Sequence, residues 1–183
     1  MASMSGTPAR QGHQDVFYAS CYRQRVKIAA TVLDYLNESR QKWCTAREAG
    51  GQLFGKVDAD IVLVDGVSGP YKGDTRSRYL YRSNPIAAQA AIDEFAERGF
   101  NYLGEWHTHP EVVAEASGAD RRTIRIIMEQ SILRLSSILM LIQGTRARQD
   151  GLSVYSCDGS GFTQWAEVAT GAEFSRAPET GRD

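Results

Sequence analysis

The segment Asn101-Tyr-Leu-Gly-Glu-Trp-His-Thr-His109, followed at once by Pro110, is the part of the sequence from which the fold can be worked out. It mixes aromatic and apolar residues in the manner of a β-strand, and proline ends such a strand because it lacks the N–H that the ladder needs. Side chains alternate along a strand, so His107 and His109 project from the same face. Both imidazoles can therefore reach one metal ion, and neutral imidazole suits zinc.

A carboxylate stands at a spacing that completes such a site. Ser117 lies eight residues beyond His109, and Asp120 follows three residues later, where a helix is predicted to begin. Two histidines and one carboxylate leave the fourth tetrahedral position for water, as catalytic zinc requires. We therefore predict that His107, His109 and Asp120 bind a zinc ion, although iron enzymes use the same ligand set.

Two further residues suit the chemistry of a zinc hydrolase. Zinc lowers the pKa of a bound water toward about 7, which makes a nucleophile at neutral pH. Glu48, placed upstream among glycines, could take the proton of that water and return it to a leaving amine. Ser117 could donate a hydrogen bond to the developing oxyanion. We predict catalytic roles for Glu48 and Ser117.

Each of these residues also has an ordinary structural interpretation. Ser117-x-x-Asp120 is close to a capping box, and it can cap a helix while the aspartate still reaches a metal. Histidines on strands are often hydrogen-bonded core residues, Glu48 could be a solvated surface charge, and Gly50-Gly51 could be a turn. The combination favours the metal site, because H-x-H followed after seven residues by S-x-x-D arises by chance in roughly one chain per several thousand of this length.

The hydrophobic pattern predicts a mixture of strands and helices. Residues 24–40 carry apolar side chains at intervals of three and four, which predicts an amphipathic helix. Asn84-Pro85 supplies an N-cap and a first-turn proline for a second helix, and Gly50-Gly51 would let a backbone or ligand approach closely. The helix that starts at Pro85 is predicted to end near Gly99. The other predicted elements are a hairpin with strands at 48–55 and 61–64, a strand at 79–81, a helix over 118–130, and strands over 136–143, 152–156 and 162–168. The strand over 136–143 is apolar enough to be buried on both faces.

Size and composition favour one soluble domain. The chain has 183 residues, a formal net charge of −1 and no long run of one sign, so it lacks the electrostatic footprint of a nucleic-acid binder. Its longest apolar run, Ile138–Ile142, is far shorter than the roughly 20 residues of a membrane helix. We predict a domain over residues 16–168 between a disordered leader, 1–15, and a disordered tail, 169–183.

The termini and cysteines predict a cytoplasmic protein. The first residues lack the charged start and apolar stretch of a secretory signal. The three cysteines are widely spaced and form no CxxC pair. A reducing compartment suits such a chain. His13 falls in the predicted leader and is expected to have no role.

Together the two halves of the motif resemble the JAMM signature of the JAB/MPN metallopeptidases, E-x-G-G-x-L-x-G followed by H-x-H-P-x6-S-x-x-D. They stand here as Glu48–Gly55 and His107–Asp120, with no required position missing. The resemblance extends over about residues 20–168. It implies an α/β, cytidine-deaminase-like fold in which a curved mixed sheet lies between helices in a single domain. It also implies a zinc-dependent isopeptidase that acts on ubiquitin or ubiquitin-like conjugates.

A narrower resemblance is to the bacterial JAB deconjugating proteases of antiphage signalling systems and integrative elements. It rests on Ser77-Arg78, on the segment Tyr102–Glu111 and on the compact size. It implies cleavage after the C-terminus of a signalling nucleotidyltransferase or a ubiquitin-like protein, which reverses conjugation to a target. The loop from Glu111 to Ala116 departs from this resemblance because it lacks the one or two prolines expected there. The resemblance therefore implies less about the rigidity of this loop and the fit of a substrate than about the metal site.

Several alternatives remain open at this point. The chain could be a catalytically silent MPN scaffold, although such scaffolds usually lose a ligand or the glutamate, or a DNA-repair-associated JAB protein, which would carry a basic patch. A zinc base deaminase needs H-x-E and P-C-x-x-C, which are missing. Trp43 and Trp106 could line a cleft for an extended peptide or belong to the core. Cys44 lies near Glu48, but a cysteine protease would need a further histidine to activate it.

Overall fold

The computed structural model describes residues 14–18, 24–131 and 135–168. The predicted leader and tail lie outside the described residues, except that Gln14 and Asp15 already belong to the first strand. His13 and Cys21 also lie outside them. No helix among the described residues is long and apolar enough to cross a membrane.

The described residues form three α-helices, ten β-strands and one short 3-10 helix. The helices are α1 (Ala30–Glu38), α2 (Pro85–Glu97) and α3 (Gly118–Gln130), and the 3-10 helix is Arg148–Gly151. The strands are β1 (Gln14–Tyr18), β2 (Arg25–Ala29), β3 (Gly50–Val57), β4 (Ile61–Val67), β5 (Thr75–Ser77), β6 (Leu80–Arg82), β7 (Asn101–Thr108), β8 (Ser137–Gln143), β9 (Leu152–Asp158) and β10 (Gly161–Val168).

Eight of the strands form one curled sheet in the order β1-β10-β9-β8-β7-β3-β4-β2, which closes because β1 pairs with both β10 and β2. Strand β7 runs parallel to β8 and β2 runs parallel to β4, whereas the other neighbours are antiparallel. Strands β5 and β6 form a separate hairpin. The prediction of a curved mixed sheet with helices in a single domain is confirmed.

The two faces of this sheet bury two separate cores. Helix α1 joins the inner core through Val32, Leu33 and Leu36. Helix α3 covers the outer core, where Ile124 packs with side chains from β8 and β9. Strand β8 shows the division most clearly, because Leu139 and Leu141 belong to the inner core while Ile138, Met140 and Ile142 belong to the outer one. The prediction that this strand is buried on both faces is confirmed.

Helices α2 and α3 leave a strip of the outer sheet face uncovered. Helix α3 packs on β8 and β9, and α2 packs on β3 and β7. The anchor of α2 is Phe95, whose ring stacks on Phe54 with centroids 3.9 Å apart, and no residue of this helix is fully buried. The outer face of β7 therefore lies in a gap between the two helices.

The prediction of a helix over 24–40 is wrong in its first third. Residues Arg25–Ala29 form β2, in which Val26 and Ile28 are buried and their neighbours are not. This alternation suits a strand, and pairing with β1 and β4 supplies the backbone hydrogen bonds. The helix begins only at Ala30. The strand predicted at 79–81 is β6, one residue further on, and its partner β5 was not predicted.

Helices α2 and α3 agree with the prediction. The Asn84 side chain accepts hydrogen bonds from the amides of Ile86 and Ala87, and Pro85 occupies the first turn. Helix α2 stops at Glu97, just before Gly99, whose φ of 76° lies in the left-handed region that glycine tolerates. Helix α3 has the predicted bounds.

Gly50 and Gly51 lie within β3, so their interpretation as a turn is wrong. A Cβ atom at Gly51 would overlap the carbonyl oxygen of Ser68, and one at Gly50 would overlap the Tyr81 ring. The predicted close approach of a second backbone is therefore found at Gly51.

Replacing Gly51 with alanine is expected to lower the free energy of unfolding by about 2–4 kcal/mol, because the backbone around Ser68 must shift to admit the methyl group. Gly159→Ala is the matched control, since a Cβ there meets nothing within 4 Å and should change stability by less than about 0.5 kcal/mol. Urea denaturation measures both variants. Equal stabilities would contradict the close approach.

Candidate metal centre

The two histidines of the motif lie at the carboxyl end of β7 and point at each other. His107 is in the strand and His109 follows it, and both are 9% exposed. Their Nε2 atoms are 3.1 Å apart. The period-two argument therefore describes their placement correctly.

Asp120 reaches the same point from the first turn of α3. Its Oδ1 lies 3.3 Å from His107 Nε2, and its Oδ2 lies 3.5 Å from His109 Nε2. The capping box is also formed, because Asp120 N donates to Ser117 Oγ at 3.2 Å and Ser117 N donates to Asp120 Oδ2 at 2.7 Å. The capping interpretation and the metal-ligand interpretation of this carboxylate are thus compatible.

These three side chains fit a tetrahedral zinc ion. Bonds of about 2.0–2.1 Å at tetrahedral angles place ligand atoms about 3.3–3.4 Å apart. The two Nε2 atoms, 3.1 Å apart, are close to that separation, and Asp120 approaches each imidazole with a different oxygen, at 3.3 and 3.5 Å. With one ligand atom from each residue, the three atoms lie within 4.8 Å of one another. Two unprotonated imidazole nitrogens 3.1 Å apart repel each other unless a proton or a cation lies between them. The donor set therefore suits zinc, and the ligand roles stay a prediction.

The electrostatics of the cluster favour an ionised aspartate. Burial alone would raise the pKa of Asp120, but hydrogen bonds from His107, His109 and Ser117 hold it well below its usual value. Burial lowers the pKa of His109, but the nearby carboxylates, Asp120 first among them, raise it overall. Imidazole nitrogens and carboxylate oxygens that share a proton in hydrogen bonds can exchange that proton for a metal cation.

Glu111 is a neighbour whose contact the sequence reasoning missed. Its Oε2 lies 3.4 Å from His109 Nδ1. A carboxylate on this nitrogen fixes the tautomer and leaves Nε2 directed at the metal position. The sequence offered one signal for this contact, because Glu111 is a carboxylate two residues after the predicted ligand His109.

Glu48 is buried beside the histidines, so its interpretation as a solvated surface charge is wrong. Only 4% of the residue is exposed. Burial raises the pKa of Glu48 to about 7; His109 works against this shift, while Asp120 and Glu111 add to it. Glu48 precedes β3 rather than lying in it, since the strand starts at Gly50. Its raised pKa suits a group that takes and returns a proton near neutral pH.

Backbone contacts that the sequence reasoning did not find hold Glu48 in place. Its amide donates to Ser77 O at 2.7 Å, and Arg76 Nε donates to Glu48 O at 2.5 Å. The next residue, Ala49, exchanges two hydrogen bonds with Thr108, one of them to the Thr108 hydroxyl at 3.0 Å. The hairpin β5–β6 and strand β7 therefore fix Glu48 from two sides.

The loop between the histidines and α3 is tied to the sheet, although it lacks the prolines that the resemblance leads one to expect. Thr145 N donates to Glu111 O at 2.7 Å, and Ser153 Oγ donates to Ala114 O at 2.5 Å. Ala116 N donates to Tyr155 Oη at 3.2 Å. These hydrogen bonds restrain the segment that an expected proline would have stiffened.

The two tryptophans near the motif differ in their surroundings. Trp106 is 1% exposed, and its indole nitrogen donates to Ser68 O at 2.9 Å, so it belongs to the core. Trp43 is 75% exposed and lies outside the cavity lining that the described residues form. Cys44 is a free, exposed cysteine.

The cluster lines a cavity of about 1030 Å³. Glu48, His107, His109, Ser117 and Asp120 all contribute to its wall. The cavity continues between α2 and α3 along the uncovered face of β7. All five predicted site residues thus face one space that is large enough for a peptide segment.

The pKa of Glu48 predicts how stability depends on pH in the presence of a chelator. Its folded value of about 7 exceeds the unfolded value of 4.5, so its contribution is fully present below pH 4.5 and is lost as pH rises through 7. Glu48→Gln should therefore stabilise the metal-free protein by about 1–2 kcal/mol above pH 7 and have little effect below pH 4.5. Denaturant unfolding at several pH values measures this.

Glu94→Gln is the control for this series, because the Glu94 side chain is 69% exposed and pairs with Arg98 on the surface. It should show no such pH dependence. A Glu48→Gln effect that is the same at every pH would contradict the burial of an ionisable group.

Comparison with known proteins places the chain in a family. The family model described as prokaryotic homologs of the JAB domain matches residues 31–155. A CD-NTase/cGAS isopeptidase from Escherichia coli is 29% identical over 135 residues, which are 72% of this chain and 84% of that protein. A CD-NTase/cGAS isopeptidase from Vibrio cholerae is 33% identical over 124 residues, which are 66% of this chain and 77% of that protein.

The fold has a counterpart among solved structures. A solution structure of a protein from Desulfitobacterium hafniense matches with a TM-score of 0.52 at 23% identity, over 73% of this chain and 84% of that one. This likeness concerns the fold. Because the family model spans the strands and helices that carry both halves of the motif, the chain belongs to the prokaryotic branch of the JAB domain family.

Proposed function

We propose that this protein is a zinc-dependent isopeptidase. Its substrate is a signalling nucleotidyltransferase (CD-NTase) whose C-terminus is conjugated to another protein, and the reaction releases the CD-NTase from that protein. The observation that carries the proposal is that Glu48 is buried in the same cavity as the donor set His107, His109 and Asp120. The names of the Escherichia coli and Vibrio cholerae relatives support the reaction and the conjugate. A ubiquitin-like protein is the other conjugate compatible with this chemistry.

The proposed reaction is hydrolysis of an amide bond, with His107, His109 and Asp120 as the ligands of the zinc ion. A zinc ion held there would acidify a water molecule and polarise the substrate carbonyl. Glu48 accepts a proton from the attacking water, since it is a buried carboxyl group that lines the same cavity as the three predicted ligands. The carbon–nitrogen bond then breaks as Glu48 delivers this proton to the leaving amine.

Ser117 has a separate role in this proposal. The Ser117 hydroxyl oxygen accepts a hydrogen bond from the Asp120 amide, so the hydroxyl proton can be donated to another group. The residue lines the cavity next to the donor set. We assign it the stabilisation of the negative charge that develops on the carbonyl oxygen.

We also propose a biological setting, which rests on the resemblance of the sequence to the deconjugating proteases of bacterial antiphage systems. Removing a signalling enzyme from its conjugate would regulate a bacterial antiphage response, and such an enzyme acts in the cytoplasm beside its substrate. A purely structural scaffold is disfavoured because all five site residues face one cavity. A DNA-facing role is disfavoured by the net charge of −1.

Metal content and cleavage separate the roles of ligand and proton carrier. Purified wild-type protein should contain about one zinc ion per chain and cleave a fusion that carries a CD-NTase C-terminus. His109→Ala should lose both the metal and the cleavage, because one of three protein ligands is missing. Glu48→Gln should keep the metal and lose cleavage by at least about a thousandfold, because its amide cannot accept the proton. Elemental analysis and a gel-based cleavage assay measure these effects.

Each alternative gives its own result in this experiment. Absence of metal in freshly prepared wild type would support the scaffold. Iron in place of zinc would refute the choice of ion. Full cleavage by Glu48→Gln would overturn the assignment of the proton carrier.

The serine hydroxyl can be tested separately from the helix cap. Ser117→Ala should lower kcat about a hundredfold with metal retained, and lower stability by about 1 kcal/mol through loss of the cap. Ser117→Thr keeps a hydroxyl that can both cap and donate, and should restore most of each property. If Ser117→Ala lost stability but kept its kcat, Ser117 would be a capping residue alone.

A further inference from the structure

The β5–β6 hairpin contacts the chain around Glu48 through one face. In each of its three-residue strands the middle residue, Arg76 or Tyr81, is partly shielded from solvent, and its neighbours are exposed. These two residues are opposite each other in the pairing register, so their side chains project from the same face. Arg76 Nε donates to Glu48 O, and the Tyr81 ring lies over Gly50, where a Cβ atom would overlap it. The hairpin therefore contacts the chain on both sides of Ala49.

The direction of the Glu48 carboxyl group depends on this contact. Among the described residues, no group donates a hydrogen bond to the Glu48 carboxyl oxygens, whereas the Glu48 amide donates to Ser77 O at 2.7 Å. The carboxyl group is therefore oriented by the backbone and by packing. A displacement of the hairpin would move it relative to His107 and His109, and a misplacement of about 1 Å can lower a rate about a hundredfold.

Asp74 joins the hairpin to two other segments of the chain. Its Oδ2 accepts hydrogen bonds from the Tyr71 amide at 2.6 Å and from the Tyr81 hydroxyl at 3.1 Å. Its Oδ1 accepts from the amide of Asn84, the N-cap of α2, at 2.7 Å. Burial raises the pKa of Tyr81 well above its usual value, so the hydroxyl keeps its proton and remains a hydrogen-bond donor. One carboxylate thus links the turn before β5, strand β6 and the start of α2.

The turn end of the hairpin is not an independent anchor. Gln41 Nε2 donates to Arg78 O at 2.9 Å, and the Arg78 side chain donates to backbone oxygens of the loop between α1 and Glu48. These contacts allow the hairpin and that loop to shift together. The link from Tyr81 to Asp74 differs, because Asp74 is also bonded to the start of α2, and α2 packs on β3 and β7.

We propose that Asp74 is a positioning residue for Glu48. Through its hydrogen bond to Tyr81 it holds the inner face of the hairpin against the chain around Glu48, and it thereby fixes the direction of the Glu48 carboxyl group. Asp74 lies outside the cavity lining that the described residues form, so its effect on the reaction passes through Tyr81. This inference rests on the proposed function, because it concerns the proton transfer that is assigned there to Glu48.

Two substitutions remove this link from opposite ends. Asp74→Ala removes all three acceptor contacts, whereas Tyr81→Phe removes only the hydroxyl and keeps the ring over Gly50. Asp158→Ala is the matched control, because Asp158 Oδ1 also accepts three hydrogen bonds in a turn, and the residue lies outside the described cavity lining. The control therefore removes a comparable set of hydrogen bonds far from Glu48 in the fold.

Kinetics with the fusion that carries a CD-NTase C-terminus test the proposal, with kcat expressed per bound zinc ion. Asp74→Ala should lower kcat at least about tenfold and leave KM and zinc content unchanged, because it misplaces the proton carrier alone. Tyr81→Phe should lower kcat at least about threefold, and the double variant should have the kcat of Asp74→Ala, since both changes remove the same hydrogen bond. Asp158→Ala should keep the wild-type kcat.

A second measurement needs no substrate. The Glu48 amide donates to Ser77 O, so its hydrogen exchange reports how firmly the hairpin is held against this segment. Asp74→Ala should accelerate this exchange at least about tenfold, and Tyr81→Phe should change it in the same direction. Asp158→Ala should leave it as in the wild type. Exchange followed by NMR spectroscopy measures the three variants.

The results separate failure of the positioning role from failure of the proposed function. An unchanged kcat in Asp74→Ala, a rise in KM alone, loss of zinc, or an equal fall of kcat in Asp158→Ala would overturn the positioning role. Additive losses in the double variant would also overturn it. Absence of cleavage by the wild type would refute the proposed function, and exchange of the Glu48 amide would then still decide whether Asp74 holds this segment in place.

Discussion

The parallel pairing of β7 with β8 is the constraint on which the site depends. Two parallel neighbours cannot be joined by a hairpin, so the chain must leave the end of β7 and return to the start of β8 through a crossover. Helix α3 is the regular part of that crossover. Its first turn consequently lies beside the carboxyl end of β7, where His107 and His109 are. A carboxylate at the third helical position is thereby brought to the histidines by the topology itself.

The antiparallel partner on the other side of β7 completes the arrangement. Strand β3 pairs with β7 so that Gly50 is opposite His107, and the absence of a side chain at Gly50 and Gly51 lets the Tyr81 ring and the Ser68 backbone pack closely. Glu48 then lies just before this strand, buried and held by backbone hydrogen bonds. Burying a carboxyl group costs folding free energy, and its raised pKa expresses that cost. Such a cost is typical of active sites, where reactivity and stability compete.

Much of the fold and of the candidate site could be predicted from the sequence, because strand periodicity and helix capping depend on residues that are close together in the chain. Strand periodicity placed both histidines on one face, and the S-x-x-D pattern marked the start of α3 correctly. The helix predicted over 24–40 failed because the apolar residues of that segment satisfy both periods, and only pairing with distant strands decides for β2. The contacts of Arg76 with Glu48 depend on how the β5–β6 hairpin packs, which no local pattern encodes. The residues of the candidate site were therefore easier to find than the residues that hold them in place.

Asp120 shows why the ordinary and the functional interpretation of a motif need not compete. As part of the capping box, its carboxylate accepts a hydrogen bond from the Ser117 amide. As part of the first turn of α3, it also lies at the positive end of the helix dipole. Both effects stabilise its ionised form, in addition to the hydrogen bonds from the histidines. A metal ligand has to be deprotonated, so the interactions that begin the helix also prepare the carboxylate for a cation. Ser117 and Asp120 thus begin an element of the fold, and Asp120 is at the same time one of the three predicted metal ligands.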